Sequence, residues 1–309
     1  MTIFLAGASG LVGSAFAKSA ERRGHRVVGV VGAFRGEIDG VAQLLPLDLG
    51  NQDATTAAVL DVFPQAIANC AAVSMPDACE ADPARAQALN VALPATLARL
   101  AHHVSARMIH LSSEQVFDGA RGEPFGRSDV PSPINLYGRQ KLESERAVHA
   151  AAPECAVTLR PPLLTGNSVT GRRSLHERLF FDWMEGRTPR LFTDELRQPC
   201  LAENLAEVMV ELCERNDLRG VFHWAGVELM SRHEIGVRVR EHFKLTEREA
   251  PIAATTRSDN PLAARSRPRC LALDSDPLPG LLKTRQQSLE EQLAGLNIPP
   301  SCRGWYHSR

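Results

Sequence analysis

The chain runs to 309 residues, 44% hydrophobic and 23% charged, with a formal net charge of −1. That length can bury a sizeable core, as one large α/β domain or a large domain with a smaller lobe, and the near-zero charge offers no global field to recruit nucleic acid or an anionic membrane. The seven cysteines are scattered and never spaced C-x-x-C, which argues against a disulfide framework or structural zinc and for a reducing compartment.

Residues 3–6 read as a core strand directly after Met1, leaving no room for a signal peptide, and no apolar run reaches the roughly 18 residues of a membrane span. A cytoplasmic protein with no membrane partner is the expectation. A helix is predicted over 11–23, then strands over 26–31 and 42–47. A helix over 54–62 and a strand over 66–70 follow. The spacing predicts a long helix over 83–103, a strand over 108–112, a helix over 136–151 and a strand over 155–160. Strands alternating with helices in this way signal βαβ units and a parallel sheet.

Beyond Gly166 arginine and proline become more frequent. Helices are predicted over 175–185, 203–215, 231–243 and 288–293, a strand returning to the main sheet over 220–224, an irregular stretch over 257–268, and a loose tail from residue 299. The chain divides on this reading into a dinucleotide-binding unit, 1–166, and a substrate-binding lobe, 167–309, that sends elements back to the first.

The first turn carries the strongest local signal, Gly7-Ala8-Ser9-Gly10-Leu11-Val12-Gly13. Three glycines three apart, after a strand and opening a helix, have separate tasks. Gly7 permits the tight turn, Gly10 lets backbone approach a diphosphate, and Gly13 allows close helix–strand packing. Ser9, Gly10, Leu11 and Val12 then present the helix N-terminus, with its unpaired N–H groups and positive dipole end, to phosphates. A purely structural glycine turn is the alternative.

An acid at the end of the second strand would bind the ribose hydroxyls of NAD(H). That place holds Val30-Val31-Gly32, without a carboxylate, and Arg35 follows. A guanidinium suits a 2′-phosphate, so NADP(H) is the preferred cofactor and NAD(H) the second choice; a solvated surface arginine is the bland reading of Arg35. Asp48, beside Leu49, is placed to accept from the adenine amino group or to cap a helix. No cluster of side chains has metal-ligand spacing, and no metal is expected.

Tyr137 and Lys141 lie four apart at the start of a helix, hence on one face. A phenol of pKa about 10 is a poor acid or base until a neighbouring ammonium stabilises its anion. Ser113, of the pair Ser112-Ser113, can polarise a carbonyl. Together they suit hydride addition to carbon with a proton from Tyr137 to oxygen. An exposed Tyr–Lys pair on an amphipathic helix is the alternative, set against the presence of only two tyrosines in the chain, Tyr137 and Tyr306. His223, in a strand-like run, reads as a core or pocket-wall residue.

These motifs, with Asn69-Cys70-Ala71-Ala72, Asn90, His110-Leu111-Ser112-Ser113-Glu114-Gln115-Val116-Phe117-Asp118-Gly119, Pro133-Ile134-Asn135-Leu136-Tyr137-Gly138-Arg139-Gln140-Lys141 and Leu159-Arg160-Pro161, resemble the extended short-chain dehydrogenase/reductases, and among them the dTDP-4-dehydrorhamnose reductase branch. The resemblance implies a Rossmann-type, doubly wound parallel α/β sheet with a smaller C-terminal α/β substrate lobe. It implies Ser113 as the catalytic hydroxyl, Tyr137 as acid/base, and Lys141 as the ribose-binding residue that lowers the tyrosine's pKa. Ala71 and Ala72 would line the cofactor groove and Asn90 support its nicotinamide side. A keto-sugar or nucleotide-sugar substrate, and a homodimer, follow from the same likeness.

The chain departs from that branch at Glu114-Gln115, where an Asp-Tyr pair is usual, and at Arg160-Pro161-Pro162-Leu163-Leu164-Thr165-Gly166, where a tryptophan and a tyrosine are usual. The missing aromatics leave the sugar open. An epimerase or dehydratase of the same superfamily, or a non-catalytic NADP-binding subunit resembling the methionine adenosyltransferase β subunit, are the other readings.

Overall fold

The computed structural model describes residues 1–309, apart from the side chains of residues 261–263. Its first half alternates β1 (Thr2–Ala6), α1 (Leu11–Arg22), β2 (Arg26–Val31), β3 (Gln43–Pro46), α2 (Gln52–Val62), β4 (Ala66–Asn69), α3 (Pro76–Ala81), α4 (Pro83–Gln87), α5 (Leu93–His103), β5 (Arg107–Leu111), α6 (Leu136–Ala151) and β6 (Ala156–Arg160). The second half contains β7 (Leu164–Thr165), α7 (Leu175–Met184), β8 (Arg190–Phe192), β9 (Leu196–Arg197), β10 (Cys200–Leu201), α8 (Ala202–Glu214), β11 (Gly220–His223), β12 (Met230–Ser231), α9 (Arg232–His242), β13 (Ala253–Thr255), α10 (Pro261–Ser266), β14 (Cys270–Leu271), α11 (Leu278–Leu281), α12 (Leu289–Ala294) and α13 (Arg303–His307).

Seven strands form one parallel sheet in the order β11-β6-β5-β4-β1-β2-β3. The chain winds outward through β2 and β3, then returns to β4 and winds the other way. The reversal opens a crevice outside the carboxyl ends of β1 and β4, where ligands bind in open α/β sheets. The strands are apolar almost throughout because helices cover both faces. On one face Val12 and Phe16 of α1 pack with Leu205 and Met209 of α8 and with Trp224; on the other, Phe4 packs with Leu97 of α5 and Val148 of α6. A separate cluster of Leu179, Phe180, Trp183, Ile235, Val239 and Leu293 holds α7, α9 and α12 together.

The helix predicted over 83–103 is continuous but not uniform: a π-turn, Ala88–Ala92, separates α4 from α5. Pro94 has no N–H to give the carbonyl four residues back, so the ladder widens there. Residues 257–268, expected to be irregular, hold a 3-10 turn at Arg257–Asp259 and the short helix α10. The tail is not loose. Trp305 and Tyr306 of α13 pack on the cluster around Phe180, and the Tyr306 hydroxyl donates to the Phe243 carbonyl at 2.9 Å. Among the described residues no helix is long and apolar enough to cross a membrane.

Candidate active site

Gly7, at the end of β1, has φ +82°, and a Cβ there would lie 2.8 Å from the Ala71 nitrogen. A Cβ on Gly13 would fall 2.2 Å from the Gly7 carbonyl oxygen. Only glycine permits either approach, so the loop folds tightly under the first turn of α1. That turn begins at Gly10 with no side-chain cap and no acid. The N–H groups of Leu11, Val12 and Gly13 are therefore open donors at the positive end of the helix dipole. Ser9 is half-buried in the same turn. These are features a diphosphate needs, and the residues fit a dinucleotide.

Ala71 and Ala72 follow β4 on the facing side of the crevice, half-buried, with the Ala71 nitrogen held by the Asn69 side chain at 3.1 Å. Asn90 lies fully buried in the π-turn. Its Oδ1 accepts from Val73 N (2.9 Å), and its Nδ2 donates to Val73 O (3.1 Å) and the Gln140 side chain (2.9 Å). It ties the loop after β4 to α6 and so acts through position. Leu49 is buried among Val59 and Leu97, which leaves only its backbone to face a ligand.

A cleft of about 340 Å³ opens at the ends of β2 and β3, between Arg35, Leu47, Asp48 and Arg85. Asp48 caps no helix; Asn51 caps α2. Its Oδ1 instead accepts from Gly50 N at 2.9 Å and from the Arg85 guanidinium at 2.7 Å.

Ser113 follows β5, and Tyr137 and Lys141 lie on the buried face of α6. Asn135 caps that helix, accepting from Gly138 N at 2.8 Å, and its Nδ2 donates to Gln115 Oε1 and to the Ser266 carbonyl, both at 2.9 Å. Gly138 brings the helix onto the Gln115 backbone, where a Cβ would sit 2.1 Å from the carbonyl oxygen. The two serines separate in role. Ser112 donates to Glu145, whereas the Ser113 hydroxyl accepts from Gln115 N at 3.2 Å and stands beside the Tyr137 phenol.

Burial pushes the Tyr137 phenol above its usual range, opposed by the Ser113 hydrogen bond. The Lys141 ammonium donates to the Leu111 carbonyl at 2.8 Å and lies 5.9 Å from the tyrosine ring centre. In this arrangement the ammonium is committed to a backbone carbonyl, and Tyr137 is a neutral acid. Burial lowers Lys141 to about 8, opposed by Glu145. Glu114, next to Ser113, is driven up to about 8 by burial, against the pull of Arg197, whose Nε lies 3.0 Å from its Oε1.

Both shifts have stability consequences. Between pH 4.5 and about 8 the folded chain holds a proton on Glu114 that the unfolded chain releases, so this contribution to stability falls as pH rises. Between about 8 and 10.5 the unfolded chain holds the extra proton, on Lys141, and that contribution to stability rises with pH. His176 and His223, both lowered to about 4 mainly by burial, act against Glu114 below pH 6.5. The Glu114→Gln variant, compared with its parent in urea at pH 5, 6.5 and 8, should therefore gain relative stability with each step upward; a flat difference would place the Glu114 pKa in the ordinary range.

Sequence reasoning missed Arg85, Arg197 and Glu195. Arg197 bridges Glu114 (3.0 Å) and Glu195 (3.2 Å), and all three are buried. Only the Arg85 spacing, two residues past Pro83 at a helix start, offered any signal.

The parallel sheet with its crevice, glycine loop and Ser-Tyr-Lys face defines an extended short-chain dehydrogenase/reductase. Within that class the chain belongs to the family described as the RmlD substrate binding domain, which matches residues 1–296. It is 32% identical to the methionine adenosyltransferase 2 subunit beta of Xenopus laevis over 273 residues, 83% of this chain and 78% of that one. It is 31% identical to the probable low-salt glycan biosynthesis reductase of Haloferax volcanii over 304 residues, 96% and 97% of the two chains. Among solved structures, a hypothetical dTDP-4-dehydrorhamnose reductase from Sulfolobus tokodaii superposes with TM-score 0.81 at 26% identity, covering 96% and 100%. The dTDP-4-dehydrorhamnose reductase of Bacillus anthracis in complex with NADP gives 0.82 at 19%, covering 95% and 97%.

Proposed function

We propose that this protein is an NADPH-dependent reductase of a keto group on a sugar or nucleotide sugar. The observation that carries the reading is the placement of Tyr137 and Lys141 on the buried face of α6 with Ser113 beside the phenol after β5, where burial keeps the tyrosine protonated: a reduction needs a protonated acid at the start of the cycle. When bound, the nicotinamide supplies the hydride. Ser113 orients the carbonyl, Tyr137 gives its proton to the carbonyl oxygen, and Lys141 holds the ribose on one side and the growing phenolate on the other. The glycine loop, Ser9 to Gly13, binds the diphosphate, and Ala71 and Ala72 line the groove. Arg35 takes the 2′-phosphate, with NADH the weaker alternative. Residues 167–309 form the substrate lobe.

A dehydratase or epimerase reading leans on Glu114, but that carboxyl is buried against Arg197. The identity to the methionine adenosyltransferase subunit favours a second reading, an NADP-binding regulatory protein. Oxidation of NADPH by the purified chain over a panel of 4-keto nucleotide sugars separates the two. Turnover with one sugar supports the reductase; cofactor binding without turnover on any of them, with a second protein retained through purification, supports the regulatory role.

A further inference from the structure

The cleft at the ends of β2 and β3 has two cationic walls. Arg35 is exposed, and its Nη1 donates to the Gly32 and Phe34 carbonyls, both at 2.9 Å, which ties the guanidinium to the loop that lines the cleft. Arg85 lines the same cleft. Its backbone nitrogen is held by the Asp82 side chain at 2.9 Å, which anchors the first turn of α4. Its side chain then passes so close to Gly50 that a Cβ there would sit 2.3 Å from Nη1. The far end meets Asp48 Oδ1 at 2.7 Å.

Both partners of that pair are open to water, 44% and 60% exposed. Exposed ion pairs of this kind contribute little to stability. Exchanging the single charge of the Asp48 carboxylate for a doubly charged phosphate, or sharing Arg85 between them, therefore costs little and gains a charge-assisted fork. Two guanidinium groups against one carboxylate leave the cleft with one cation in excess before any ligand arrives.

We infer that Arg85 is the second ligand of the NADPH 2′-phosphate, held ready by Asp48, and is therefore a determinant of cofactor choice. The inference rests on the reading that this cleft receives the adenosine end of the cofactor, with Arg35 on its phosphate. It gives Asp48 a task other than accepting from the adenine amino group: it keeps Arg85 extended across the opening. It also accounts for Gly50, since a side chain there would displace the guanidinium.

The test needs no substrate. Dissociation constants for NADPH and NADH are measured by fluorescence titration on the parent chain and on R35Q, R85Q and R85K, with the thermal midpoint of each protein taken without cofactor. The expected result is a parent that prefers NADPH, and an R85Q variant whose preference falls about tenfold or more at an unchanged midpoint, partly restored in R85K. Weakening of NADH and NADPH by the same factor in R85Q would make Arg85 a mere support and overturn the inference. So would an R35Q variant that loses the preference while R85Q keeps it, although the reading of the cleft would then survive. A parent with no preference for NADPH would remove both.

Discussion

Substituting Tyr137 by phenylalanine is expected to lower kcat for keto-sugar reduction by roughly 10²–10⁴-fold while leaving NADPH affinity within about twofold. The ring packs with Cys79, Ala86 and Leu136, contacts that phenylalanine preserves, and only the hydroxyl facing Ser113 is lost. Its loss removes the proton that must reach the carbonyl oxygen, and water has poor access to a side chain only 7% exposed. Ser113→Ala should cost less, since it orients and polarises without giving the proton. Lys141→Met should raise the cofactor dissociation constant and lower kcat together. Single-turnover measurements with saturating NADPH separate these cases. Full activity in Tyr137→Phe would end the proposed mechanism, and a regulatory protein would show no turnover to lose.

The main sheet was legible because its central strands β1, β2 and β4 are buried on both faces and therefore apolar along most of their length. β2 and α6 fall where the pattern places them, Arg26–Val31 and Leu136–Ala151. The glycine loop and the Tyr137–Lys141 spacing were legible for a stricter reason: a close backbone approach and a shared helical face each demand particular residues at fixed intervals. What escaped the sequence depends on contacts between distant segments. Glu114 stands out as a departure from the family pattern, yet its partner Arg197 lies 83 positions away by number and on a two-residue strand that periodicity cannot detect. The docking of Tyr306 on Phe243 escaped for the same reason, since a five-residue helix carries too little pattern to reveal its buried side. Nothing in the pattern around Asp48 signals its pairing with Arg85, 37 positions along the chain.

The second large effect is predicted where the catalytic helix meets the sheet. Arg160, at the end of β6, donates from Nε to Glu145 Oε1 at 2.8 Å and from Nη2 to Oε2 at 2.6 Å, with both side chains 4% exposed. His223 Nδ1 faces two carbonyls, Phe125 O at 3.1 Å and Asp274 O at 3.0 Å, so it must carry the proton; Nε2 is then the acceptor for Arg160 Nη1 at 3.3 Å. Glu145 also takes the Ser112 hydroxyl, one residue before Ser113. One buried pair thus fixes α6, the end of β5 and β11 together. Arg160→Met strands a carboxylate in the interior and should cost about 3–5 kcal/mol of stability; Glu145→Leu strands a guanidinium and should cost about as much. The double variant removes both charges and should lie well above the sum of the singles, because the pair's desolvation penalty goes with it. Urea unfolding of the four proteins measures the coupling. Additive losses would mean that the two side chains stabilise the fold independently, whereas recovery in the double variant without recovered turnover would show that the pair is kept to hold Ser112 and the catalytic helix in register.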